Sequence, residues 1–356
     1  MCIRDRVYKK KDGKGGCVGG PSYYMEQALH QRWLGVIFAV VLILTYVVGY
    51  NMLASYNLQD AFAGFGFYAK GRTPYIIGAI LAVLFAACVL GGGKRLTNIT
   101  GVLVPVMGVL YILVSLVVIF MNIKIFPSVI ANIFRDAFNF KAAFSGFAGS
   151  CIMWGIKRGL YSNEAGMGSA PNVAATAHVS HPVKQGLIQT LGVFTDTLVI
   201  CTCTAFIILF GGVPDASLSG IRLTQAALVG EIGPAGSVFV AVAIFLFAFS
   251  SIIGNYYYGE ANVRFITRRP WVLTLYRVLV GAMVLFGALA TLDLAWSLAD
   301  ITMAFMTLIN LVAIVLLGRQ AFLLLADYVG QRRRGIKNPV YTRDRIPSLE
   351  DKAECW

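Results

Sequence analysis

The sequence is short of charge: 13% of its 356 residues are Asp, Glu, Lys or Arg, against roughly 25% in an ordinary soluble domain. A soluble globular protein is thereby excluded. Acidic groups are the scarcest, and 30 Lys and Arg against 17 Asp and Glu leave a net charge of +13. Histidine is limited to His30, His178 and His181, which form no metal set, and the seven cysteines contain no CxxC pair. Free thiols are expected, with neither disulfides nor zinc. HExxH, GxSxG and Walker sequences are also missing, as is a plausible nucleophile–base pair, so the chain does not read as an enzyme. Apolar residues are abundant instead, at 58% of the chain with a mean hydropathy of +0.72. In that setting the basic excess marks the loops of a membrane protein rather than a nucleic-acid site.

A membrane-spanning helix needs about 20 mostly apolar residues to cross a hydrocarbon core roughly 30 Å thick. Clear runs lie at 33–50 extending towards Tyr56, and at 75–90, 101–121, 187–210, 237–258, 271–292 and 294–317. An eighth, near 144–177, is interrupted by Lys157, Arg158, Glu164 and a Gly-rich centre. Runs this long exclude barrel strands and predict an all-α, polytopic integral membrane protein. Basic residues near helix ends favour the cytoplasmic side. Alternate threading puts Lys9, Lys10, Lys11 and Lys14 on one side with Lys94, Arg95, Lys184, Arg264, Arg268, Arg269, Arg332 to Arg334 and Lys337. Lys124, Arg135, Lys141 and Arg222 fall opposite. The majority predicts both ends in the cytoplasm.

Residues 1–12 are charged and show no signal-peptide pattern, and the opening MCIRDR reads as an assembly scar. Three regions follow: a non-native or disordered leader at 1–18, a transmembrane unit of about eight helices at 19–328, and a basic cytoplasmic tail at 329–356.

The stretch GLYSNEAGMGSAP at 159–171 lies between two half-length apolar pieces. In a helix interior each glycine costs about 1 kcal/mol relative to alanine and a proline about 3, so Gly166, Gly168 and Pro171 predict a break. Within a bilayer, non-helical backbone survives only where protein buries it or a cavity borders it. Its freed N–H groups can hold a carboxylate and its freed carbonyls a cation. The bland alternative is a Gly-rich loop in water, and Glu164 could simply pair with Lys157 or Arg158.

In Phe247-Ala248-Phe249-Ser250-Ser251 the carbonyl of Phe247 and the two hydroxyls share one helix face, a set of hard oxygens suited to a small cation. Alternatively, each serine bonds the carbonyl one turn back. Thr195-Asp196-Thr197 puts an acid inside an apolar helix, where it can relay or gate, or only bond a neighbour. Trp296, Ser297, Asp300 and Thr302 open the last helix, as cover for a ligand or as an interfacial anchor. Tyr276 and Arg277 read as snorkelling or interfacial residues.

GLYSNEAGMGSAP, followed by HPVKQGL at 181–187 and FTDTLVICTCTA at 194–205, resembles the alanine or glycine:cation symporter family. GGPSYYMEQAL at 19–29, FAFSSIIGNYYYGE at 247–260, Tyr276-Arg277 and WSLAD at 296–300 agree with it. The resemblance implies a LeuT-type inverted-repeat transporter fold, with a substrate held at the midplane between broken helices. Substrate binding then falls to Asn163, Glu164, Gly166, Gly168, Ser169 and Trp296, and half of a sodium site to the Phe247 carbonyl, Ser250 and Ser251. The family also begins with further helices, so the chain is expected to hold core helices three to ten and to lack the first ones. Where many members carry NMVQ, this chain has Asn51-Met52-Leu53-Ala54, which removes a glutamine from the substrate's surroundings.

By this resemblance the function is sodium-coupled symport of a small neutral amino acid, alanine or glycine, across the plasma membrane. Sodium is then transported, not a prosthetic group, and the partners are the amino acid, sodium and the lipid bilayer, with no nucleic acid. Alternatives are the same fold acting on another solute or coupled to protons, and an inactive truncated fragment.

Overall fold

The structure is a computed structural model that describes residues 2–11, 16–90, 93–138, 146–212, 218–346 and 355–356. Lys14 and Lys141, used for orientation, and Phe144, where the broken run begins, lie outside the described residues.

A short helix α1 (Cys2–Asp5) precedes two strands, β1 (Lys10–Lys11) and β2 (Cys17–Val18), paired antiparallel with Lys10 opposite Val18. Then come α2 (Pro21–Gln27), α3 (Arg32–Asp60), α4 (Thr73–Leu90), α5 (Gly93–Met121) and α6 (Phe126–Ala137). The broken run supplies α7 (Gly146–Asn163) and α8 (Ala170–Ala174). The remainder is α9 (Pro182–Gly211), α10 (Ile221–Ile232), α11 (Ala235–Ile266), α12 (Pro270–Leu289), α13 (Leu292–Leu316) and α14 (Gly318–Arg333).

Seven helices among the described residues are long and apolar enough to cross a membrane: α3, α4, Gly101–Met121 of α5, α9, α11, α12 and α13. They coincide with the seven uninterrupted runs. Helix α11 outlasts its apolar run by two turns, and there Arg264 pairs with Glu260 one turn back at 2.6 Å, a spacing that supports helix in water. Two features are invisible in the apolar pattern: α3 widens into π-helix at Leu44–Tyr50 and α9 at Thr195–Ile200. Such turns often mark functional positions.

Helix α11 runs through the middle, touching α3, α5, α10 and α12, while α12 packs on α4 and the second half of α3. Small residues permit these approaches, as is usual between membrane helices. A Cβ on Gly287 of α12 would lie 2.5 Å from the Met52 Cα, and one on Gly49 would lie 2.8 Å from the Ala299 Cα. Buried side chains collect around Phe38, Tyr46 and Met306, around Phe85, Ile252 and Val284, and around Phe206, Leu228 and Val240. The outward faces are apolar too, with Leu90 81% and Val315 78% exposed. In water such a surface would aggregate; seven apolar spans with apolar exteriors define a multi-pass membrane protein.

Residues 2–11 and 16–18 of the leader region are described. Arg4 stacks on Tyr24, 3.8 Å from the ring centre, and donates to the Ala313 carbonyl at 3.2 Å. Arg6 donates to the Ala174 carbonyl at 2.8 Å. Both guanidiniums add a second donor to carbonyls in the last turns of α13 and α8, where positive charge is favoured. At the other end the expected boundary at 329 falls inside α14, which runs to Arg333.

Candidate functional site

The helix α7 stops at Asn163, and the next residues turn left-handed: φ is 52° at Glu164, 88° at Gly166 and 100° at Gly168. Helix resumes only at Ala170, with Pro171 in its first turn, where a missing N–H costs nothing. The predicted break is therefore present. Gly168 is required twice over, since an added Cβ would also lie 2.8 Å from both Phe38 and Pro21. Glu164 bears an unfavourable backbone worth about 1–2 kcal/mol, held by the Ser169 hydroxyl, which donates to its carboxylate.

This backbone is not a loop in water. Met167, Gly168 and Ser169 are buried. Aromatic rings form a continuous wall beside it, from Trp296 to Tyr161 (4.9 Å between centres), Tyr161 to Tyr50 (4.7 Å), Tyr50 to Tyr46 (4.8 Å) and Tyr46 to Tyr258 (5.0 Å).

Side-chain amides from other positions hold the freed carbonyls. Asn310 of α13 donates to the Gly166 carbonyl at 2.6 Å and accepts from the Tyr24 hydroxyl. Asn172 donates to the carbonyls of Gly168 at 3.1 Å and Ser169 at 2.9 Å. Asn262 of α11 donates to Asn172 at 3.1 Å and accepts from Ser22 at 2.6 Å. Among the described residues the N–H groups of Gly166, Gly168 and Ser169 have no acceptor. With its carbonyls occupied and these donors open, the segment is better prepared for an anionic group than for a cation.

Asn163 continues the site sideways. Its side chain accepts from the Ala165 N–H at 2.8 Å and donates to Thr197 at 3.4 Å, and Ser162 donates to the Asp196 carboxylate. The π turn of α9 thus rests against the end of α7, and Asp196 bonds this neighbour. Trp296 lies under Arg158, whose guanidinium carbon is 3.6 Å from the ring centre. The suggested ion pair of Glu164 is not made: Arg158 contacts both Asp300 oxygens at 2.7 Å, with Lys157 3.9 Å from the same carboxylate. Geometry explains the choice, because Lys157 and Arg158 project from α7 towards α13 before the chain turns at Glu164.

The cation candidates sit apart from this cluster. On α11 the Ser250 hydroxyl donates to the Phe247 carbonyl at 3.0 Å, the bond expected of a serine in a membrane helix, and Ser251 is exposed. No hydrogen bond or ring contact joins the three to 163–169 among the described residues. Ala54 is half-buried against the core that contains Phe249, and the neighbouring Asn51 accepts from Asn255 at 2.9 Å.

Sequence reasoning missed the three clamping asparagines and the tyrosine wall. An asparagine in an apolar run, as at 310, is itself a signal, since a polar group in the bilayer needs a partner. Tyr276 is also corrected: it is buried, donating to the Tyr256 carbonyl at 2.8 Å, rather than interfacial.

A separate cluster caps α9. The buried His181 accepts the Val183 N–H at Nδ1 (3.2 Å), which leaves the proton on Nε2, 3.1 Å from Asp327 of α14. Asp327 also accepts from Gln331 at 2.8 Å and Arg345 at 3.1 Å. Burial pushes the imidazole below its ordinary value, outweighing Asp327, which pulls it up. For Asp327 burial acts upwards, yet the His181, Gln331 and Arg345 bonds hold the carboxyl below its usual range. The chain beyond α14 closes on this point, with Tyr341 N–H donating to the Ser180 carbonyl at 2.9 Å.

A multi-pass helical protein with a broken helix walled into its interior is a membrane transporter rather than an enzyme. The model of the sodium:alanine symporter family matches residues 2–343. Amino-acid carrier protein AlsT of Bacillus subtilis is 47% identical over 99% of this chain and 74% of its own length. The probable sodium/glutamine symporter GlnT of the same organism is 46% identical, over 99% of this chain and 72% of its own. Sodium/alanine symporter AgcS of Methanococcus maripaludis is 38% identical, over 87% and 69%. The chain belongs to the sodium:alanine symporter family. Sodium is accordingly a co-transported ion and not a prosthetic group.

Proposed function

We propose that the chain carries a small neutral amino acid, alanine or glycine, into the cell together with sodium across the plasma membrane, with both ends cytoplasmic. The observation that carries this reading is the unwound segment at 164–169, with open N–H groups beside an aromatic wall. The amino acid's carboxylate docks on the N–H groups of Gly166, Gly168 and Ser169. Asn163 and Glu164 face its ammonium end, and Trp296 closes the wall. A site crowded by glycine and tyrosine leaves room for a small side chain only. The Phe247 carbonyl, Ser250 and Ser251 form half of the sodium site, the Ser250 hydroxyl turning from its local acceptor to the ion. The unit at 19–328 is a LeuT-type inverted repeat in which the helix bundle rocks about this site, with 329–356 as a basic tail.

A second amino acid is favoured by one observation: the relative GlnT, 46% identical, is named for glutamine. Proteoliposomes with imposed gradients decide between them. Labelled alanine or glycine accumulates under an inward sodium gradient, and glutamine competes weakly. Accumulation driven by a proton gradient alone overturns the coupling, and strong competition by glutamine overturns the substrate.

A further inference from the structure

A cleft of about 640 Å³ opens where the end of α11 meets the start of α12. Lys10, Lys11, Arg264, Arg268, Arg269 and Arg277 line it, against the single carboxylate of Glu260. Arg264 already neutralises that carboxylate through contacts of 2.9 and 2.6 Å. Arg268 and Arg269 form no salt bridge among the described residues and are exposed. Arg277, half-buried on the floor, is tethered by its Nε to the Tyr256 hydroxyl at 3.1 Å, which directs the rest of the guanidinium. Helix α12 starts at Pro270 on the rim, so its positive dipole end adds to the same field.

The other wall is apolar. Val89, Val263 and Leu273 line the cleft, and beside it the faces of α4 and α12 present Leu90 (81% exposed), Trp271 (60%) and Leu275 (58%). Both α11 and α12 are long and apolar enough to cross a membrane, so the connection between them lies on the membrane surface. An anion held by the arginines therefore has an acyl-compatible surface directly adjoining it, an arrangement that a soluble anion does not need.

We propose that this cleft binds an anionic phospholipid, with the phosphodiester among Arg268, Arg269 and Arg277 and one acyl chain along α12. Basic pockets between membrane helices recognise acidic headgroups in this way. The site is independent of the amino-acid site, and uses only the membrane location.

The test is native mass spectrometry of the purified, delipidated full chain, titrated with phosphatidylglycerol or phosphatidylcholine of equal chain length. The expected result is discrete binding of phosphatidylglycerol and none of phosphatidylcholine. The variant Arg268→Gln/Arg269→Gln/Arg277→Gln weakens it about a hundredfold, at roughly fivefold per charge, whereas Arg268→Lys/Arg269→Lys keeps it. Equal binding of the two lipids overturns the proposal. So does displacement of phosphatidylglycerol by millimolar inorganic phosphate, which would make this a site for soluble anions. If the triple variant does not fold, the comparison of the two lipids on the unaltered chain is decisive.

Discussion

The segments 163–169 and 247–251 carry the same kinds of group, carbonyls, hydroxyls and amides inside apolar runs, yet treat them oppositely. At 164–169 the helix is broken, three residues stand at positive φ, and asparagines from outside the segment hold the carbonyls. At 247–251 the helix is continuous through 32 residues, and Ser250 satisfies itself on its own helix. A broken backbone must import partners and so builds a fixed site around itself. An unbroken one needs none, and its oxygens stay available at little cost to the fold.

The largest effect separating the two is expected from Gly168→Ala. Left-handed strain of about 1–2 kcal/mol joins overpacking against Phe38 and Pro21, typically 1–3 kcal/mol. Uptake of alanine should fall more than tenfold at equal amounts of protein in the membrane; unchanged uptake would mean that the break does not matter. The double substitution Ser250→Ala/Ser251→Ala sharpens the contrast from the other side. Thermal unfolding in detergent should shift by no more than about 0.5 kcal/mol, because among the described residues neither serine bonds another element. The sodium concentration for half-maximal uptake should nevertheless rise about tenfold, or 1.4 kcal/mol. An unchanged sodium requirement would remove these residues from the cation site.

The smallest effect concerns the tail, which neither segment touches among the described residues. His181 has a folded pKa below its unfolded value near 6.5, so the unfolded form binds the extra proton first. The stabilisation is complete above about pH 6.5 and is lost as pH falls towards the folded value. Asp327, also depressed, loses its share at still lower pH, through its own folded value. Proteolysis between Arg332 and Val340 should be faster at pH 5.5 than at pH 7.5, and the difference should shrink in His181→Gln. Equal rates in the unaltered chain would show that the cap does not hold the tail.

These contrasts also set what could be read from the sequence. Seven spans and the position of the break were legible because both rest on local rules: long apolar runs must be helices in lipid, and Gly166, Gly168 and Pro171 oppose helix. The π turns at 44–50 and 195–200 were not, since widening one turn leaves the apolar pattern intact. Nor were the partners of the break. Asn310 is 144 residues from the Gly166 carbonyl it holds, and Asp300 took Arg158 from the nearer Glu164 because helix direction outranks sequence distance. The contacts of Arg4 and Arg6 were hidden for a related reason: the helix-end carbonyls they reach are 309 and 168 residues away.

Sodium-dependent docking of the amino acid on the unwound segment would shield the backbone N–H groups there. Hydrogen exchange of the 160–175 region, read by mass spectrometry with alanine and sodium added separately and together, tests this most directly. Slowed exchange is expected at Gly166, Gly168 and Ser169 only when both are present, accompanied by protection at 247–251 with sodium. Unchanged exchange across 164–169, or equal slowing by alanine without sodium, would contradict it.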